Sequence, residues 1–265
     1  MSIHLEQALA RVEANFEHEV QFLAELVRTP SVHLRVKEEE RCQDVIETHL
    51  TRLGLRSDRF IPDWKALHDF RDPITGESLY IKTELTRPEY LTYRDRSNLV
   101  CTWPAARSGG RSLLFNGHID VVPEGDLSRW SDPPFSGIVR DGRLFGRGAS
   151  DQKAGVAAMI YALQAVIEAG VELAGDVILE TVVDEETGGN GTLACAQRGY
   201  RADAAIFTEP TDGRAYYAHV GGQLFTIRVR GRAAHPSQGK GVNAVELMCS
   251  LIQKTRQWEA ARNGR

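Results

Sequence analysis

Cysteine is scarce in this 265-residue chain: Cys42, Cys101, Cys195 and Cys249 are scattered, and no CxxC pair occurs. Thiolate zinc sites need clustered ligands, so that class is excluded, and the four are expected to be reduced and mostly structural. No apolar run approaches the length needed to cross a bilayer, so no membrane partnership is expected. The opening stretch, MSIHLEQALARVEANFEHE, is acidic and amphipathic, unlike a secretory signal, and the expected location is cytoplasmic. Positive charge is not in excess either. The 32 basic and 36 acidic residues are evenly mixed, for a net charge of -4. With no basic stripe to track phosphates, nucleic acid is not an expected partner. What remains is an ordinary composition for a soluble globular protein, 42% hydrophobic and 26% charged. The length suits one large domain, or one domain plus part of a second.

Helical periodicity runs from Leu5 to Val27 (Leu5, Leu9, Val12, Phe16, Val20, Leu23, Leu26) and Pro30 closes it. A second helix fits Glu38 to Leu53, stopping at Gly54. Residues 63–94, rich in charge, proline and tyrosine, read as a long surface excursion of no legible role. From Asn98 onward short β-rich runs (Asn98 to Trp103, Ser112 to Asn116, Asp176 to Val183, Ala204 to Thr208) alternate with helical stretches (Lys153 to Ala169, Gly191 to Arg198). That alternation predicts an α/β fold: a mixed, mostly parallel sheet with helices on both faces. After Asp212 the texture changes. Residues 215–230 read as a strand or hairpin broken at Gly221-Gly222, residues 231–241 as a loop, and Asn243 as the cap of a helix to about Ala261. We therefore expect a catalytic domain over residues 1–212 and the start of a smaller α+β domain over residues 213–265.

In open α/β sheets ligands gather at the carboxyl ends of the strands. Polar clusters sit there: Gly117-His118-Ile119-Asp120, Asp184-Glu185-Glu186 and Glu209. Side chains two apart on an extended segment face the same way, so Asp120 can hold one nitrogen of His118 while the other binds a metal. Alone, this pair better describes a polar strand end with a satisfied histidine. Asp151, after a glycine-rich turn, can bridge two cations or simply cap the next helix. Asp184-Glu185-Glu186 is a metal-binding or a solvated acidic turn, and Glu209 alone says little. His219 reads as packed or exposed, and Trp130, Pro133, Pro134 and Phe135 shape a loop near a pocket or pack in the core. Together, one imidazole and several carboxylates at strand ends form an N/O donor set suited to zinc. Two divalent cations would balance Asp120, Asp151, Glu186 and Glu209.

LLFNGHIDVVPEG, GRLFGRGASDQKAG, VVDEETGGNGT, IFTEPT and GRAAHPSQGKGVNA resemble, in order, the motifs of the di-zinc amidohydrolase and metallopeptidase family of acetylornithine deacetylase, succinyl-diaminopimelate desuccinylase, aminoacylase and carboxypeptidase G. The resemblance covers roughly residues 98–261 and implies a zinc-exopeptidase-like fold. It also implies two Zn2+ per subunit, or Co2+, with His118 and Glu209 on one ion, Asp151 bridging and Glu186 on the other. Asp120 would orient His118, and Glu185 would be the general base. The same likeness implies a cis peptide bond after Asp151. It further implies a lid domain that mediates a homodimer, with His235 reaching the partner subunit's site to bind substrate or stabilise an oxyanion.

The implied activity is hydrolysis of the amide bond of a small N-acyl amino acid or related N-acylated amine. Alternatives within the class are a deformylase of an N-formyl amine and a dipeptidase or carboxypeptidase. Family members continue past this point, through the rest of the lid to a return segment carrying a final histidine of the second metal site. The expectation is that the present chain ends inside the lid, leaving the second metal with Asp151 and Glu186 and activity incomplete or absent. A non-catalytic homologue that binds metal or dimerises is the rival expectation. Retention of Glu185, which serves chemistry rather than metal binding, speaks against it.

Overall fold

The computed structural model describes residues 3–79, 95–218, 227–235, 237 and 239–264. It falls into two compact units, Met1–Tyr216 and Tyr217–Arg265.

The first unit is built on five strands: β1 (Arg56–Phe60), β2 (Asn98–Trp103), β3 (Leu113–His118), β6 (Val177–Val182) and β7 (Ala204–Phe207), in the order β1-β2-β6-β3-β7. The neighbours β6, β3 and β7 are parallel, whereas β2 runs against both β6 and β1. Four of the five strands therefore point one way, and the sheet is mixed and mostly parallel. A two-stranded hairpin, β4 (Ile138–Arg140) and β5 (Arg143–Phe145), stands apart from it.

Strand alternation divides the core between two faces. Leu99, Cys101 and Leu179 pack with Phe22 and Leu26 of α1 (Ile3–Arg28), Cys42, Ile46 and Leu50 of α2 (Val36–Arg52), and Val156, Met159 and Ile160 of α4 (Ala154–Glu168). Val100, Leu114, Ile178 and Val182 face the other way, onto Cys195 of α5 (Asn190–Arg198). Helices thus cover both faces. The short α3 (Trp64–Asp69) lies where the sequence suggested only an irregular excursion; Asp63 Oδ1 caps it by accepting from Lys65 N and Ala66 N at 3.0 and 3.1 Å, and Leu67 is its buried anchor. Residues 80–94 of that excursion lie outside the described residues.

Buried Lys153 ties α1 to the start of α4: its Nζ donates to the carbonyls of Leu26 and Thr29, both at 2.8 Å, at the carboxyl end of α1. A cation there binds carbonyls at the helix end, that of Leu26 in addition to the 3.2 Å bond it accepts from Thr29 N, and complements the helix dipole. Three of the cysteines are buried and Cys249 is exposed, all as free thiols. Among the described residues, no helix is long and apolar enough to cross a membrane.

In the second unit, Asn243 Oδ1 caps α6 (Ala244–Asn263) by accepting from Val245 N at 2.9 Å, and α6 has no buried residue. Arg232 and Val242 exchange backbone hydrogen bonds at 3.0 and 2.9 Å, closing the intervening loop as an antiparallel bridge. His219 and Gly221-Gly222 lie outside the described residues, and no strand is present at 215–218 or 227–230.

Candidate metal centre

Strand register decides which side chains meet. Asn116 of β3 pairs with Phe207 of β7, so two residues further on His118 and Glu209 leave the sheet level with each other. On the other side His118 pairs with Val182 of β6, which puts Asp120 level with Asp184 at the head of the acidic turn. Asp151 arrives from below α4, in the turn after Gly148, with Asp151 (φ -115, ψ 99) outside the helical region. It caps nothing: the residue that precedes α4 is Lys153, and no side-chain hydrogen bond caps the helix. The Asp151–Gln152 peptide bond is cis. Gly155 admits this approach, because a Cβ there would stand 2.0 Å from the carbonyl oxygen of Thr208, the residue before Glu209.

Among the described residues, one donor atom each from His118, Asp151 and Glu209 lies within 4.8 Å of the other two. Ligands held about 2.0–2.2 Å from one zinc ion stand no more than ~4.4 Å apart, so only small side-chain adjustment separates this triple from a coordination shell. The tautomer of His118 points the same way. The ring is 1% exposed, and Nδ1 lies 2.8 Å from the carbonyl oxygen of Asp120. A carbonyl only accepts, so Nδ1 carries the hydrogen. Nε2 faces the carboxylates of Asp151 at 3.0 Å and Glu185 at 3.7 Å. That approach calls for a proton or a cation at Nε2. The residues fit a divalent metal.

The electrostatics agree. Burial alone would lower the pKa of His118, yet it is raised, by Asp120, Glu185 and Glu209. Glu186 is raised by burial and by the charge of Asp151, and Glu209 by burial and by the charges of Glu185 and Asp151, against His118. Each is what a cluster of acids does when no cation intervenes. Glu186 stands outside the close triple but within the influence of Asp151. Asp120 is completely buried, which pushes its pKa up to about 7 against the pull of His118. Its carboxylate stands 3.7 Å from His118 Nδ1, further than its own carbonyl, and accepts from the backbone N–H groups of Glu185 and Glu186 at 3.3 and 3.2 Å. Asp120 thus holds both the imidazole and the acidic turn.

Gln152 is a participant that sequence reasoning passed over. It is 1% exposed, and its Oε1 accepts from His118 N–H at 2.5 Å. Its Nε2 makes no well-formed hydrogen bond, yet it lies close enough to lower the pKa of Glu209. The signal available was adjacency to Asp151 and nothing more. His235 belongs to the second unit, exposed, with Nδ1 2.8 Å from Ser237 Oγ.

The model of peptidase family M20/M25/M40 matches residues 114–256. The chain belongs to this family. This M20 chain is 37% identical over 165 residues to a protein named probable succinyl-diaminopimelate desuccinylase from Staphylococcus epidermidis, covering 61% of this chain and 40% of that one. It is 38% identical over 156 residues to N-formyl-4-amino-5-aminomethyl-2-methylpyrimidine deformylase of Bacillus subtilis, covering 53% of this chain and 35% of that one. Among solved structures, human carnosine dipeptidase 1 superposes with a TM-score of 0.57 at 21% identity, over 77% of this chain and 40% of that one, which shows a shared fold. The M20 chain therefore spans about two-fifths of the length of the relatives it matches.

Proposed function

We propose that this M20 chain carries the metal centre of a hydrolase that cleaves the amide bond of a small N-acyl amino acid or related N-acylated amine. The observation that carries the reading is the convergence of one donor atom each from His118, Asp151 and Glu209 within 4.8 Å of one another, with Nε2 of His118 3.0 Å from Asp151. Two Zn2+ ions, replaceable by Co2+, would be held by His118 and Glu209, by Glu186, and by Asp151 shared between the two. Such cations polarise a carbonyl and bring the acidity of water toward neutrality.

The chain's own groups do the rest. Glu185 has its backbone fixed on Asp120 while its carboxylate is 45% exposed and reaches toward Nε2 of His118. A tethered but solvent-facing carboxylate accepts a proton from water and returns it to the leaving amine, the two halves of general base and general acid catalysis. Asp120 keeps His118 in the Nδ1–H tautomer through its carbonyl. We further propose that residues 213–265 belong to a lid through which the protein forms a homodimer, with His235 serving the partner subunit's site. Free buried cysteines support a cytoplasmic location. The names of the relatives support N-succinyl and N-formyl amines as first candidates.

The test is a hydrolysis assay on N-acetyl, N-succinyl and N-formyl amino acids with zinc or cobalt added, alongside Glu185→Gln. Turnover that falls at least 100-fold in Glu185→Gln, with zinc still bound, is the expected result. Undiminished turnover would remove Glu185 from the mechanism; zinc binding with no turnover on any substrate would favour a non-catalytic homologue.

A further inference from the structure

Behind the acidic turn lies a second group of charges that the chemistry above does not use. Glu39 of α2, Arg96 just before β2 and Asp184 just after β6 are 0%, 2% and 4% exposed. Arg96 grips Glu39 with a two-pronged contact, Nε to Oε2 at 2.8 Å and Nη2 to Oε1 at 2.9 Å. Its remaining prong, Nη1, reaches Asp184 Oδ1 at 3.3 Å. The neighbouring Glu40 holds the next residue as well, accepting from Ser97 N at 2.6 Å and from Ser97 Oγ at 2.8 Å. Helix α2 therefore fixes both ends of the Arg96-Ser97 step.

Asp184 is the knot of the turn. It has φ 73, left-handed for a residue with a Cβ. Its carbonyl accepts from Gly188 N at 3.1 Å and Gly189 N at 2.7 Å, and its carboxylate accepts from Thr187 Oγ1 and from Asn190 Nδ2. On the far side, Asp120 takes the N–H groups of Glu185 and Glu186. The two glutamates are clamped between Asp120 and Asp184, and Arg96 meets Asp184 from the α2 side.

Stability does not explain the arrangement. Buried ion pairs are often no better than well-packed apolar groups of the same size, because desolvation cancels the attraction. What a forked guanidinium supplies that an apolar group cannot is fixed geometry. We propose that Arg96, held by Glu39 and closing on Asp184, is the positioning residue that sets where Glu185 and Glu186 present their carboxylates. Its consequence for metal rests on the reading of Glu186 as a ligand given above.

Two readouts on the whole chain test it. Glu39→Gln keeps the shape but breaks the fork, and Arg96→Lys keeps the charge but has no fork to offer. Leu67→Ala, in the small cluster that joins α3 to Leu193 and Ala194 of α5, lowers stability without removing a contact of residues 185–189. The first readout is amide hydrogen exchange over residues 185–189 in metal-free protein. The second is zinc affinity measured against a competing chelator. Exchange at 185–189 should quicken at least tenfold in Glu39→Gln and Arg96→Lys with the sheet still protected, and zinc binding should weaken about tenfold, the lower end for partners behind a metal ligand. Leu67→Ala should change neither. Wild-type exchange and wild-type zinc affinity in a folded Glu39→Gln overturn the proposal, as does faster exchange spread evenly over the sheet. Quickened exchange confined to the turn, in a wild-type chain that takes up no zinc, keeps the positioning role and sinks the metal reading instead.

Discussion

At the scale of single residues, the acid with the plainest physical signature outside the metal centre is Glu180. It points from β6 toward the α5 face, 3% exposed, and among the described residues its hydrogen-bond partner is Asn116, whose Nδ2 donates to Oε2 at 2.7 Å. Burial pushes its pKa up to about 7, against Asn116 and the distant charge of Arg201. The folded chain thus holds a proton there that the unfolded chain releases near pH 4.5. Between those two values the native state binds more protons, so its stability falls as pH rises, by about 3 kcal/mol over the full window. Urea denaturation at pH 5 and pH 8 should show Glu180→Gln losing about that much less than wild type between the two conditions; equal losses would mean that Glu180 ionises normally. The residues of the metal centre were legible for a related reason. Acids placed directly after apolar strands are costly, and the cost is visible in the sequence. Arg96 and Glu39 were not legible: one sits in Asp95-Arg96-Ser97 and the other in Glu38-Glu39-Glu40, runs that read as solvated surface, and only tertiary structure buries Arg96 with Ser97 in the first and Glu39 in the second.

At the scale of elements, the strands and helices that bury apolar side chains announce themselves, and the polar ones do not. β1 is Arg-Ser-Asp-Arg-Phe, an edge strand whose charges guard it against pairing with another sheet, and those same charges hide it from a reading based on hydrophobic alternation. The β4–β5 hairpin had a signal that went unread. Asp141-Gly142 takes φ values of 52 and 71, the tight turn that the Asp-Gly dipeptide favours between alternating residues. The start of α4 is the element on which the site depends most, since it must lie against β7 for Asp151 to meet Glu209. Gly155→Ala would force a Cβ to 2.0 Å from the Thr208 carbonyl, a backbone atom with little room to yield. The helix must back away. We expect a loss of about 1–3 kcal/mol in unfolding free energy, together with weaker zinc binding as Asp151 and Glu209 separate. Unchanged zinc affinity in Gly155→Ala would mean that the two carboxylates do not share an ion.

For the molecule as a whole, the converging charges turn metal binding into a stability measurement. Asp120, Asp151, Glu185, Glu186 and Glu209 gather around one imidazole, and the pKa values of Glu186 and Glu209 are raised first by burial and then by the neighbouring carboxylates. A cation that binds the folded chain and not the unfolded one stabilises by mass action, about 2.7 kcal/mol at a free concentration 100 times its Kd. For a unit of this size that corresponds to a rise of roughly 5–10 °C in Tm. Zinc should therefore raise the melting temperature and a chelator should reverse it. His118→Ala and Asp151→Asn should remove most of the rise, whereas Glu185→Gln should keep it, because a base that shuttles protons is not needed to hold the ion. The effect should fade in acid, since protons compete for carboxylates whose pKa values are raised in the metal-free fold. A Tm indifferent to zinc at neutral pH would mean that the acids tolerate one another by protonation alone, with His118 charged between Asp151 and Glu185.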